Sequence, residues 1–147
     1  MFKNILVSID GSDSSNKALD TAAELAAGSG GKLHVLHVVR EMQVPLNPGL
    51  MEVYEKMQRD RHDVLNSAGE HLLNQAKRSV EAKGVDNVET DMGSGDPASA
   101  IVDYAAKNKA DLIVMGSRGL GQVEGMLMGS VSRKVSNTTK TNCLIIK

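Results

Sequence analysis

The chain has 147 residues, 41% of them hydrophobic and 24% charged, and a formal net charge of −1. That length fits one domain with a substantial core, and so balanced a charge excludes a protein that grips nucleic acid through its overall field. Three aromatics (Phe2, Tyr54, Tyr104) are too few for a base-stacking platform, no apolar run approaches a membrane span, and the single cysteine, Cys143, excludes an internal disulfide or a cysteine zinc site.

In chain order, Asn4–Ile9 reads as a strand; its apolar stretch gives way at once to Asp10, unlike a signal peptide, so a cytoplasmic protein is expected. Ser12 or Asp13 can cap a helix with Ala18, Leu19, Ala22, Ala23, Leu25 and Ala26 on its apolar side, and Gly28 can end it. Lys32–Val39 is a second strand, followed by a loop marked by Pro45, Asn47, Pro48 and Gly49. From Leu50 to Lys83 the pattern is helical, with Val64, Leu65, Ala68, Leu72, Leu73, Ala76 and Val80 recurring. So long a helix predicts a break near Asn66–Gly69; Gly84 closes it.

A third strand covers Asn87–Met92. Asp96-Pro97 starts the next helix, with Ile101, Val102 and Ala105 on its buried side. Asp111–Met115 is a fourth strand, Ser130–Thr138 a short helix and Asn142–Lys147 a fifth strand. Ile5-Leu6-Val7 and Leu112-Ile113-Val114-Met115 are continuous apolar runs, as in strands buried on both faces. The alternation predicts a single α/β domain over residues 1–147. Its core is an open parallel five-stranded sheet, Rossmann-like, with helices on both faces. Ligands of such sheets sit beyond the carboxyl ends of the strands, which points to the loops after Ile9, Val39 and Met115.

The last of these loops is rich in glycine: Gly116, Gly119, Gly121, Gly125 and Gly129 fall within Gly116–Ser130. Glycine allows positive φ and close approach to a ligand, so that successive N–H groups can face one anion. A helix starting at Gly129-Ser130 adds unpaired N–H groups and the positive end of its dipole. The hydroxyls of Ser117, Ser130 and Ser132 can donate, and Arg118, Arg133 and Lys134 can offset phosphate charge. This is not a P-loop, since Gln122-Val123 follow Gly121 where Lys-Ser/Thr is required. Nor is it the dinucleotide fingerprint, because Glu124 stands at the third glycine position.

The spacing Gly-x2-Gly-x9-Gly-Ser, filled by Gly116, Gly119, Gly129 and Ser130, resembles the ATP-binding branch of the universal stress protein family. The likeness extends over the whole chain, through Ile5–Ser12, Leu36-His37-Val38, Gly95-Asp96-Pro97 and Asp111–Arg133. It implies a fold of the adenine nucleotide alpha hydrolase type and a regulatory, stress-response protein that binds ATP, or ADP or AMP, with Mg2+ or Mn2+. By the same resemblance Asp10 and the backbone near Val38 meet the nucleoside, and Gly116, Gly119, Gly129 and Ser130, with Val131 and Ser132, surround ribose and phosphates. Ser8, Met115 and Arg118 are expected in the same nucleotide site. It also implies a homodimer formed through the last strand. Leu144 stands where many members carry a proline after the cysteine, and proline removes a ladder donor, so edge pairing can differ here.

Other chemistries fit less well. His34 and His37 are three apart on a strand and point to opposite faces, and His62 and His71 diverge on a helix, so no histidine metal site is expected. Asp10-Gly-Ser-Asp13-Ser lacks the calcium-loop ligands, and Ser12 replaces the second acid of an aspartyl phosphatase. Cys143 has no base beside it and reads as a packing residue. Met126 and Met128 are expected under the glycine loop; for Met42, Met51 and Met57 a mobile cover or partner surface is the alternative to ordinary packing. No residue stands out as a water-positioning base, so no catalytic residue is assigned. A slow ATPase or phosphotransferase and a nucleotide-free dimerisation module remain as alternative functions. No nucleic-acid or membrane partner is expected; an unidentified protein partner is left open.

Overall fold

The computed structural model describes residues 1–41, 47–121, 125 and 127–147. Its strands are β1 (Asn4–Ser8), β2 (Lys32–Arg40), β3 (Val88–Gly95), β4 (Leu112–Gly116) and β5 (Asn142–Ile146). All pairings are parallel and the spatial order is β3-β2-β1-β4-β5. The chain steps outward from β1 through β2 to β3, then crosses back to place β4 on the other side of β1. That reversal opens a crevice at the carboxyl ends of β1 and β4.

Among the described residues four α-helices cover the sheet: α1 (Asp13–Ser29), α2 (Met51–Ala82), α3 (Pro97–Lys107) and α4 (Ser130–Thr138). Because side chains alternate along a strand, the sheet feeds two cores. Ile5, Val7, Leu33, Val35 and Val114 pack with α1 and α2, whereas Leu6, Leu36, Ile113 and Met115 pack with α3 and α4. Among the described residues no helix is long and apolar enough to cross a membrane.

Several local expectations are corrected. Helix α1 does not stop at Gly28 but runs to Ser29, and Gly30 closes it at φ 62°. Its start is capped by Ser12, whose Oγ accepts the Ser15 N–H at 3.3 Å. Helix α2 is unbroken over 32 residues. Gly69 marks a close crossing rather than a break, since a Cβ there would lie 2.9 Å from both His37 Cδ2 and Met92 Cε. The buried face of α2 is also rotated from the sequence reading. Gly69, Leu73, Ala76 and Val80 are inside, while Val64 is 68% exposed and Ala68 lies outside. Strand β3 continues to Gly95, beyond its apolar residues, because Gly93, Ser94 and Gly95 pair with Val38, Val39 and Arg40. Val102 is only half-buried beside the buried Ile101 and Ala105. Met42, Pro45, Gln122, Glu124 and Met126 lie outside the described residues.

Candidate functional site

The carboxyl ends of β1, β2 and β4 and the first turn of α4 enclose a cleft of about 500 Å3. All eleven residues singled out in the sequence line it: Ser8, Asp10, Val38, Met115, Gly116, Arg118, Gly119, Gly129, Ser130, Val131 and Ser132. Val38, Met115 and Val131, joined by Ile101 of α3, give an apolar wall. The glycine loop and Ser130 at the start of α4 add polar lining to the same cleft.

Asp10 joins the first loop to the glycine loop. Its Oδ1 accepts the Ser12 N–H at 2.9 Å, and its Oδ2 accepts the Leu120 N–H at 3.1 Å. Ser14 fixes the neighbouring turn: its hydroxyl donates to the Arg118 carbonyl and accepts the Arg118 N–H at 3.4 Å. The start of α1 and the glycine loop are thus one hydrogen-bonded unit, and Arg118 has its backbone fixed while its side chain stays exposed.

Gly116 and Gly119 serve by their size, not by their handedness. Positive φ in this loop belongs to Gly121 and Gly125, and not to Gly116, Gly119 or Gly129. A Cβ at Gly119 would lie 2.6 Å from Asp10 Oδ2. At Gly116 it would lie 2.8 Å from both Ser14 C and Ser15 N, so that glycine is required for packing on α1. Gly129 has an extended backbone, φ −74° and ψ 166°, as N-cap of α4, and no side chain caps that helix. The N–H groups of Ser130, Val131 and Ser132 are therefore the open first-turn donors. The Gly129 N–H itself donates to the Ser117 carbonyl at 2.5 Å.

Two expected phosphate partners are committed elsewhere. The buried Ser132 hydroxyl donates to the carbonyls of Ser117 and Gly129, at 3.0 and 3.2 Å, closing the base of the loop. Lys134 pairs with Asp96 at 2.9 Å, and that ammonium, with Ser99, holds the Asp96 carboxyl well below the usual carboxylate range. Neither Lys134 nor Arg133 lines the cleft.

Arg40, Arg61 and His37 also line the cleft and were not found from the sequence. Arg61 stands one helical turn before Leu65, so the helix periodicity carried the signal, but the misread phase of α2 hid it. His37 shares a ring contact with α2 at Gly69 and its Nδ1–H donates to the Ile9 carbonyl at 2.9 Å.

His34 faces away from this cleft, in a buried network with Asn4 and Tyr104. Among the described residues no cluster of three His, Cys, Asp or Glu is arranged to hold a metal ion. Cys143 packs with the α3–α4 core, and burial pushes its thiol up from the ordinary value. Met128 is half-buried, and Met51 and Met57 are exposed at 49% and 65%. A polar groove of about 520 Å3 lies between α2 and the outer edge of β3, lined by His62, Asn66, Glu70 and Asn74. It touches neither the switch point nor a helix N-terminus, which makes the cleft the better candidate.

The model of the universal stress protein family matches residues 1–147. The chain belongs to that family. Among its relatives in the family is Universal stress protein YxiE of Bacillus subtilis, 39% identical, with both chains covered in full. The structure of the universal stress protein UspA from Lactobacillus plantarum superposes with a TM-score of 0.86 at 26% identity, covering 99% of this chain and 98% of that one. A universal stress protein crystallised in complex with cAMP is 32% identical, with a TM-score of 0.70 and 99% and 96% coverage.

Proposed function

We propose that this protein is an adenine-nucleotide-binding regulatory protein of the stress-response type, cytoplasmic and homodimeric, with ATP as its ligand. The observation that carries the reading is the convergence of Asp10, Val38, Gly116, Gly119, Gly129 and Ser130 on one cleft at the switch point of the sheet. The adenine-nucleotide class is supported by the family member 32% identical to this chain that was crystallised with cAMP.

In this reading the base lies against Val38 and the apolar wall, and the phosphates meet the glycine loop, Arg118 and the open N–H groups of α4. Asp10 is the sole carboxylate among the residues lining the cleft, and both its oxygens already accept N–H groups. Mg2+ or Mn2+ therefore enters held mainly by phosphate oxygens and water, with Asp10 at most a single protein ligand. Strand β5 lies at one edge of the sheet with Cys143–Ile146 half-buried, a suitable strand for pairing two copies.

The test is to denature the purified protein, identify any released nucleotide by chromatography and mass, and prepare Gly129→Arg in parallel. Adenine nucleotide from the native protein and none from the folded variant is the expected result. Equal release from both would move the ligand to another site. Sedimentation of the native protein tests the dimer, which a monomeric mass at micromolar concentration would contradict.

A further inference from the structure

Two arginines of the cleft, Arg40 and Arg61, come from β2 and α2 and not from the glycine loop or α4. Arg40 ends β2, and Arg61 of α2 donates one Nη1–H to the Arg40 carbonyl at 3.3 Å, leaving the rest of its guanidinium fork uncommitted to that bond. Neither arginine forms a salt bridge among the described residues. Arg61 is half-buried, and a cation drawn from water without a counter-charge is costly, so its complement is an anion.

That anion is not the one at the glycine loop. β2 and β4 flank β1 with Gly116 level with His37, so Arg40 stands two strand spacings across and three residues further along, roughly 14 Å from Gly116. Beyond the two arginines the cleft is continued by a chamber of about 390 Å3 that shares Val39, Arg40 and Arg61 with it. Arg59 and Tyr54 also line this chamber, and its three arginines outnumber the carboxylates of Glu41 and Asp63.

We infer that Arg40 and Arg61 form a second phosphate subsite, so that a nucleotide carrying a further phosphate on its ribose besides its 5′ chain binds more tightly than the same nucleotide without it. The inference rests on the nucleotide reading above. A guanidinium fork matches a phosphate bidentately, which gives the pair its chemical selectivity. The second phosphate is either terminal, as in a nucleoside bisphosphate, or bridging, as in a dinucleotide whose second nucleoside enters the chamber beside Tyr54.

The experiment measures calorimetric affinities for AMP, ADP, adenosine 3′,5′-bisphosphate and 5′-phosphoadenylyl-(3′→5′)-adenosine, in the native protein and in Arg61→Gln. At least one two-ended ligand is expected to bind tenfold or more tighter than AMP. That gain should fall below threefold in Arg61→Gln while the ratio of ADP to AMP affinity holds. A gain with the bisphosphate identifies a terminal phosphate, and a gain with the dinucleotide alone identifies a bridging one. If AMP and ADP bind but neither two-ended ligand gains, or the gain survives in Arg61→Gln, the subsite is refuted and the nucleotide reading stands. If none of the four binds and ATP with Mg2+ gives no heat either, the nucleotide reading falls as well. Should Arg61→Gln fail to fold, Arg40→Gln, at an exposed side chain, replaces it.

Discussion

The two ends of the sheet are built on opposite principles. At the amino end a set of polar side chains is answered from within the chain. The Asp111 carboxylate accepts the N–H groups of Lys3 and Asn4, at 2.8 and 3.1 Å. Asn4 Nδ2 donates to the carbonyls of Asn108 and Lys109, and Asn4 Oδ1 meets His34 Nε2 at 2.9 Å. Tyr104, edge-on to the His34 ring, donates its hydroxyl to Asp91 at 2.8 Å. At the carboxyl end Arg40, Arg61 and Arg118 form no salt bridge among the described residues, and the first turn of α4 is uncapped by any side chain. One end is closed on itself and contributes stability. The other keeps donors and charge open toward a cleft, at some cost to stability.

The largest expected effect breaks the closed end. His34→Ala removes a side chain only 2% exposed and leaves Asn4 Oδ1 without its donor. Urea unfolding should register a loss of about 2–4 kcal/mol. ATP affinity, measured where the variant is folded, should match the native protein; a parallel loss of affinity would show the two ends to be coupled.

Gly119→Ala probes the open end. Its methyl would push on Asp10 Oδ2, which otherwise anchors the loop through Leu120. ATP should bind about tenfold more weakly, equivalent to about 1.4 kcal/mol, with a smaller change in the urea midpoint. The reverse pattern would make the glycine a folding residue alone.

Ser12→Ala removes the N-cap of α1 and should lower stability by about 1 kcal/mol, readable in thermal unfolding. It tests whether the unit formed by α1 and the glycine loop is held locally, because the Ser12 hydroxyl also reaches the Arg118 carbonyl at 3.4 Å.

The smallest effect is in pH. Burial, with the Lys32 ammonium nearby, lowers the His34 pKa, while Glu89 and Asp91 oppose the shift. The unfolded imidazole gains a proton near pH 6.5 that the folded one resists. His34 thus contributes fully above that pH, and its contribution declines as pH falls below it. The urea midpoint should be lower at pH 5.5 than at 7.5, by less in His34→Asn than in the native chain. An equal drop in both would assign the titration to other groups.

The sequence made legible what depends on local pattern. Apolar runs gave β1 and β4, Asp96-Pro97 gave the start of α3, and the spacing of Gly116, Gly119, Gly129 and Ser130 singled out the loop lining the cleft. What was hidden depends on which surfaces meet. Val64 and Ala68 imitate a buried stripe, so the face of α2 carrying Arg61 could not be phased without the sheet beneath it. Gly69 looked like a helix breaker because its neighbours, His37 and Met92, come from β2 and β3. Ser132 looked like a phosphate donor until the Ser117 carbonyl, fifteen residues away, claimed its hydroxyl.

The most direct test of the open end is a calorimetric titration of ATP with Mg2+ into the native protein and into Gly129→Arg. The Gly129 φ and ψ put no backbone strain on the substitution, and the melting temperature of the variant reports whether the buried position takes the larger side chain. One ATP per chain in the native protein and none in a variant of unchanged melting temperature is the predicted result. No heat from the native protein, or undiminished binding by the variant, would contradict a nucleotide site in this cleft.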